Sequence, residues 1–251
     1  MEKLDSYRNS HTTKNYGLRY SKTYSQGYYF YQWNLFEKNI LKKIIDSNYF
    51  KNKNVLDFAC GTGRITNELV SLKLKKVDGV DISNEMLIIA KDRVENVDFY
   101  CEDITTNLNE NFINKYDLVT SFRFFTNAEQ SLRISALKAI NKSLKPTGKF
   151  ILNIHQNKKS FLGMIYSIRN FIYNKKIANV IDEETIISLL KENGFKIKSI
   201  HYYSVFPRLG YSLDFSKSIL KNIMYYTEIT YDFFRLPKKY KQCFIIEAEK
   251  L

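Results

Sequence analysis

The sequence predicts an α/β fold built on a doubly wound, mostly parallel sheet, and three observations carry that reading. From residue 52 onward, short apolar runs alternate with helical patterns, as strand–helix–strand units require. The stretch "NVLDFACGTGRIT", residues 54–66, reads as a strand, a glycine-rich turn and a helix start. Two further strand-like runs follow five core strands, which gives seven.

The five core strands are expected at residues 54–58, 76–81, 97–100, 117–121 and 148–154. Helical patterns fall between them at 64–72, 85–93 and 128–144. Ser83 is placed to cap the second of these helices, and Asn127 with Gln130 reads as a capping box for the third. Pro146-Thr147-Gly148 makes the turn into the fifth strand. Upstream, residues 1–15 are polar and unpatterned and are expected to be flexible. Residues 16–50 are rich in Tyr, and 31–46 has the period of an amphipathic helix. Downstream come apolar-faced helices at 160–173 and 182–193, a strand at 195–203, a helix around 215–233 and a closing strand, "KQCFIIEAEK". Residues 16–251 therefore read as one domain, with 16–50 as an N-terminal lid and 157–181 as an inserted helical cap.

The formal net charge of +13 suggests nucleic acid or an anionic membrane at first sight. The lysines are scattered, however, and the excess of Lys over Arg with abundant Asn and Ile is what AT-rich coding produces. No separate basic nucleic-acid-binding module is visible, so no nucleic-acid partner is expected. Cys60, Cys101 and Cys243 are far apart and odd in number, in apolar strand-like contexts. That argues for reduced, buried thiols and against a disulfide frame or a metal site. No apolar signal region opens the chain and no apolar run is long enough to cross a bilayer, so the expected setting is the cytoplasm.

The glycine-rich turn carries the chemistry. Glycines let backbone approach a ligand closely, and helix N-terminal amides attract its polar groups. Asp81 ends the next strand, eighteen residues past Gly63, where a carboxylate can accept hydrogen bonds from a ribose diol. Both a dinucleotide and S-adenosylmethionine carry such a ribose. The third small residue of a dinucleotide fingerprint is missing from Gly61-Thr62-Gly63-Arg64-Ile65-Thr66. The third strand ends in Glu102-Asp103, a candidate acceptor pair for an adenine amino group.

With Asp57, Ala59-Cys60-Gly61-Thr62-Gly63, Asp81, Glu102-Asp103-Ile104, residues 117–121 and 144–154 in order, residues 50–155 resemble the class I S-adenosylmethionine-dependent methyltransferases. Ala59 departs from the commoner family loop, which has glycine there. The resemblance implies a Rossmann-like seven-stranded sheet of order 3-2-1-4-5-7-6 with the seventh strand antiparallel. It implies S-adenosyl-L-methionine as cofactor and S-adenosyl-L-homocysteine as product. Carried over residue by residue, Asp57, Ala59, Cys60, Gly61 and Gly63 hold the methionine end and Asp81 the ribose. Ile82, Asp103 and Ile104 meet the adenine, and Ser121 approaches the sulfonium through its backbone.

Ligands of such sheets bind beyond the carboxyl ends of the strands. "SFRFFTN" and "NIHQN" leave the fourth and fifth strands there, which should bring Arg123 and His155 together above the cofactor. His155 is a base or substrate-binding candidate, or a strand-end histidine bonded to a loop carbonyl. Arg123 pairs with a carboxylate such as Glu129 or Glu37, faces solvent at a pocket mouth, or binds an anion on the acceptor. Tyr20, Tyr24 and Tyr28 are spaced by four, and Tyr24 and Tyr28 are candidates to close over a cationic sulfonium. The helix at 160–173, ringed by Lys158, Lys159, Arg169, Lys175 and Lys176, is either a membrane-surface helix or, preferably, the cap of the substrate pocket. The expected activity is methylation of a small polar acceptor, sugar-type or phosphorylated, at oxygen or nitrogen. A looser resemblance to bacterial surface-polysaccharide methyltransferases points to capsule modification. The alternatives are an RNA-modifying enzyme and a methyltransferase-like binding protein with a dead site. A monomer or homodimer is expected.

Overall fold

A computed structural model describes residues 7–10, 16–45, 47–174, 179–207 and 217–251. Along the chain, helices α1 (Tyr7–Ser10), α2 (Tyr16–Tyr24) and α3 (Gly27–Gln32) lead through a π-helical turn, Trp33–Glu37, into α4 (Lys38–Ile44) and α5 (Ser47–Phe50). The core then alternates: β1 (Asn54–Phe58), α6 (Arg64–Ser71), β2 (Lys76–Asp81), α7 (Asn84–Arg93), β3 (Asp98–Cys101), β4 (Tyr116–Ser121), α8 (Gln130–Ser143) and β5 (Leu144–Ile154). Helices α9 (Phe161–Ile172) and α10 (Glu183–Glu192), β6 (Phe195–Tyr203), α11 (Lys217–Phe233) and β7 (Cys243–Lys250) complete it.

The seven strands run in the order β3-β2-β1-β4-β5-β7-β6. The first five are parallel, while β7 lies antiparallel between β5 and β6. The central strands are apolar runs because both faces are covered. Helices α8 and α10 bury Leu137, Ile140, Ile186 and Leu190 on one face. On the other, Leu41, Ile45, Phe50 and Leu69 of α4, α5 and α6 meet Val55 and Ile151. Glu68 of α6 clamps this second layer by accepting both Lys38 (2.9 Å) and Lys42 (3.0 Å).

The expected caps divide. Ser83 accepts the Met86 amide as anticipated. Asn127 caps nothing: α8 starts later, at Gln130, and the Asn127 amide donates back to the Arg123 carbonyl (3.0 Å). The single amphipathic helix expected over 31–46 is instead three pieces around the π turn. Cys60 and Cys243 are buried free thiols, whereas Cys101, at the end of the edge strand β3, is exposed. Of the segment expected to be flexible, residues 1–6 and 11–15 lie outside the described residues. Tyr7–Ser10 form a helical turn, with the Tyr7 ring edge-on to Phe124 at 5.4 Å. The start of the helix expected around 215 also lies outside them, as do Lys175 and Lys176. Of the cap expected over 157–181, Asn179 lines the cleft described below, whereas no residue of α9 does, and Leu162 and Gly163 of that helix are buried.

Strand β2 crosses close to β3 at Gly79, where a Cβ would sit 2.7 Å from the Phe99 ring and 3.1 Å from the Cys60 sulfur. Gly79→Val is therefore expected to cost about 1–3 kcal/mol from overpacking, read as a lower denaturant midpoint. An unchanged midpoint would show that the sheet relaxes freely there.

Candidate active site

The chain leaves β1 for β2 on one side and returns through β4 on the other, so a crevice opens at the carboxyl ends of these strands. It holds a cleft of about 760 Å³. The turn after β1 forms its floor. Ala59, Gly61 and Gly63 all have left-handed backbones, with φ of +55°, +54° and +72°. Gly63 opens α6, and a Cβ there would press on Ala90 of α7 at 3.1 Å, so this glycine serves helix packing. Gly61 differs. A Cβ on it would meet nothing within 4 Å, and the residue lines the cleft. Bare backbone thus faces open space where a ligand can lie against it.

Asp81 is fixed by that turn. One carboxylate oxygen accepts the Gly61 amide (2.8 Å) and the other the Ser83 amide (2.9 Å), and the residue lines the cleft. Asp57 sits one layer lower. It accepts the hydroxyls of Thr66 (2.7 Å) and Thr120 (2.9 Å), tying β1 to α6 and β4. Burial pushes its carboxyl up to about 6, against the downward pull of those two hydroxyls. Asp57, Cys60, Gly63 and Ser121 do not line the cleft. Asp57, Cys60 and Gly63, expected at the methionine end, and Ser121, expected at the sulfonium through its backbone, form a layer beneath the wall instead: Asp57, Cys60 and Ser121 are buried between sheet and helices, and Gly63 backs onto Ala90 of α7.

At the other end Ile82, Glu102, Asp103 and Ile104 line the cleft. Asp103 is already engaged. Arg8 of α1 donates to it through Nε (2.8 Å) and to Thr105 through Nη2 (2.6 Å), and Thr105 bonds the other carboxylate oxygen. No periodicity marks Arg8 in the sequence, and nothing short of the folded chain reveals it.

The aromatic lid is shifted by one residue from the expected spacing. Tyr7, Tyr20, Tyr24 and Tyr29 line the cleft, and Tyr28 does not. Its hydroxyl donates to the Phe206 carbonyl (2.9 Å) and pairs with Ser204 (3.0 Å). The helix breaks after Tyr24, and Gly27, with φ +64°, resets its phase, so the spacing of four does not carry across the break.

Arg123 and His155 do share the cleft wall. Arg123 is not at its mouth. It is 4% exposed, has a left-handed φ of +69°, and gives its amide to Asn153 Oδ1 (2.6 Å). That backbone turns the side chain inward, where Nη2 donates to Glu37 Oε1 (2.5 Å) and Gln32 Oε1 (2.9 Å). The rings of Tyr24 and Tyr29 stand 5.6 and 5.3 Å from the guanidinium carbon. The protein's own carboxylate therefore answers the charge, and the expected role in binding a substrate anion loses its free counter-charge. Glu37 also accepts the Tyr203 hydroxyl (2.8 Å) and stands 3.7 Å from Arg64, which stacks on Trp33. Gln32 and Glu37 are five residues apart, about 140° on an α-helix. The intervening π-helical turn, with its i→i+5 period, brings both to one guanidinium. His155, 9% exposed, ends β5 with its amide on the Thr126 hydroxyl (3.3 Å). Gln156 and Asn179, which the sequence did not single out, and Asn127, read there only as a cap, stand in the same wall.

Comparison with known proteins agrees with this geometry. Residues 49–223 match the family model described as "Methyltransferase domain", and the chain belongs to that family. It is an S-adenosylmethionine-dependent methyltransferase. The ubiquinone biosynthesis O-methyltransferase of Coxiella burnetii (strain Dugway 5J108-111) is 26% identical over 194 residues, 72% of this chain and 80% of that protein. The 235L protein of Invertebrate iridescent virus 6 is 43% identical over 89 residues, but the match spans only 31% of its length. Among solved structures, magnesium protoporphyrin IX methyltransferase from Synechocystis PCC 6803, with bound SAH, superposes with a TM-score of 0.65 at 16% identity, covering 97% of both chains. A SAM-dependent methyltransferase from Thermotoga maritima gives 0.63 at 18%, covering 96% of this chain and 99% of that one. At such identities these two show the fold alone.

The residues present fit the cofactor. Bare backbone at Gly61, a diol acceptor at Asp81 and apolar Ile82 and Ile104 match a methionine end, a ribose and a base. Gly61→Ala is expected to cost the free protein about 1–2 kcal/mol for a left-handed Ala. Donor affinity, read by calorimetry with S-adenosylhomocysteine, should fall by about tenfold or more, because the added methyl fills ligand space. Equal affinity would place the donor elsewhere. Glu37→Gln is expected to destabilise by about 3–5 kcal/mol, because it leaves buried guanidinium uncompensated. Replacing Glu37 and Arg123 together by Met should restore much of that in denaturant unfolding.

Proposed function

We propose that the enzyme methylates a hydroxyl on a small, ring-bearing, uncharged acceptor, with His155 as the base. The observation that carries this is the composition of the acceptor end. His155, Asn127, Gln156 and Asn179 offer neutral hydrogen-bonding groups beside the rings of Phe122 and Phe124. Arg123, the cation expected to select an anionic acceptor, is neutralised by Glu37. An uncharged sugar or a phenol suits this wall better than a phosphorylated head group. A sugar-type acceptor keeps a surface-polysaccharide role open. The O-methyltransferase of ubiquinone biosynthesis in Coxiella burnetii supports oxygen as the methylated atom.

When bound, the donor supplies a methyl carbon activated by its sulfonium. The chain's own contribution is positioning, exclusion of water and proton removal. The lid residues Tyr20, Tyr24 and Tyr29 close one side of the cleft. A hydroxyl attacks well only as its proton leaves, and the presence of His155 in the cleft wall supports it as the group that takes the proton. Incubation with S-adenosylmethionine and panels of hydroxylated sugars, phenols and phosphorylated sugars, followed by mass spectrometry, tests the acceptor class. Methylation confined to the phosphorylated panel would overturn it. With an accepted substrate, His155→Asn is expected to lower kcat by about 10²–10⁴-fold with unchanged S-adenosylhomocysteine affinity. A kcat equal to the parent's would remove the base assignment.

A further inference from the structure

Two helices carry apolar faces that the described residues leave uncovered. On α9, Phe161, Met164, Ile165, Ile168 and Phe171 recur at helical spacing and are all exposed, Phe171 by 87%. On α11, Ile219, Tyr226, Ile229 and Phe233 do the same, Phe233 by 77%, and Phe234 follows at 65%. Single exposed apolar residues need no explanation, but a contiguous set of this size marks an interaction site.

Both helices stand at the same end of the sheet. Strand β6 runs parallel to β5, so α9 and α11 both leave the sheet at the end that carries the cleft. Their roots are stitched together. Asn157, before α9, donates its side-chain amide to the carbonyls of Lys239 (2.8 Å) and Lys241 (2.9 Å), and its backbone amide to Gln242 (2.9 Å). Gln156, the preceding residue, lines the acceptor end of the cleft.

Charge selects the occupant. Residues 157–181 contain no Asp or Glu. Lys158 and Lys159 pair with Asp182 and Glu184, which leaves Arg169 on α9. Within 217–241 the two acidic residues, Glu228 and Asp232, are both taken by Lys241, at 2.8 and 2.7 Å. Lys221, Arg235, Lys238 and Lys239 are exposed without an acidic partner in that segment. Apolar and aromatic side chains on helices that carry or adjoin cations with no acidic partner among the described residues fit the boundary of an anionic bilayer, where acyl chains take the apolar face and headgroup phosphates the cations. A second copy of the chain would bring the same excess of positive charge to meet itself. Among the described residues no helix is long and apolar enough to cross a membrane, so the contact is peripheral.

We propose that the α9–α11 face docks the enzyme on an anionic lipid surface, with the acceptor end of the cleft beside the bilayer. Flotation of the full chain with vesicles of phosphatidylcholine and phosphatidylglycerol in equal parts tests this independently of any acceptor. The protein is expected to float with them at low salt, and to bind pure phosphatidylcholine vesicles about tenfold less or weaker. Ile168→Glu with Phe171→Glu, and separately Phe233→Glu with Phe234→Glu, should lose about tenfold or more of the binding to mixed vesicles. Calorimetry with S-adenosylhomocysteine confirms that each variant is folded. The triple variant R235E/K238E/K239E should lose the preference for phosphatidylglycerol while keeping the same S-adenosylhomocysteine affinity. Absence of flotation overturns the proposal, as does equal binding by the glutamate variants or equal affinity for both vesicle types. A stable dimer in light scattering that Phe171→Glu separates would assign the face to a second copy and overturn it too.

Discussion

The contact between Arg123 and Glu37 is where the parts of this enzyme are fastened to one another. Arg123 belongs to the loop leaving β4, and its amide is held by Asn153 of β5. Glu37 belongs to the N-terminal helices and also takes the hydroxyl of Tyr203 at the end of β6. Four separate stretches of chain thus meet at this pair. The pair is nearly dry, so its charges interact strongly and each is costly to leave alone. Tyr29 lies on α3, which runs into the Glu37 turn, and the rings of Tyr24 and Tyr29 pack by the guanidinium, so this anchor helps set the lid over the cleft.

The cleft itself is organised in two layers with different physical jobs. The upper layer, Gly61 and Asp81, presents groups to a ligand and is held rigid by its own amide–carboxylate bonds. The lower layer, Asp57 with Thr66 and Thr120, has no access to the cleft and keeps the upper one in place. A carboxylate with its ordinary affinity for protons would be hard to bury there. Two hydroxyl donors reduce the burial cost without cancelling it, which is why its affinity for protons remains raised.

Much of this was legible in the sequence, for identifiable reasons. Buried parallel strands read as apolar runs, so β1 and β2 stand where the pattern put them. The turn residues Gly61 and Gly63 and the strand-end Asp81 are local signals, because their roles depend on neighbours close in sequence. What escaped depends on distant chain. Arg8 meets Asp103 across ninety-five positions. Glu37 was one of two carboxylates considered for Arg123, and only the π turn decides between it and Glu129. Tyr28 was assigned by a spacing that a glycine break interrupts. The capping box at Asn127 failed because the loop after β4 needed that side chain for its own carbonyl. The exposed cation imagined in "SFRFF" was displaced by a left-handed backbone that no propensity assigns to arginine.

The π-helical turn between Gln32 and Glu37 also has a bearing on how this chain can vary. Such a turn houses one residue more than the helix around it would need. Removing a residue from Trp33–Glu37 would restore a regular helix and raise its local regularity, yet it would swing either Gln32 or Glu37 off the guanidinium by roughly the angle of one residue, about 100°. Adding a residue would do the same in the other sense. Most of the side chains between those two positions can change identity more readily than the segment can change length. The constraint is on counting, and it should be visible in descendants of this sequence as freedom of substitution without freedom of insertion or deletion across residues 32–37.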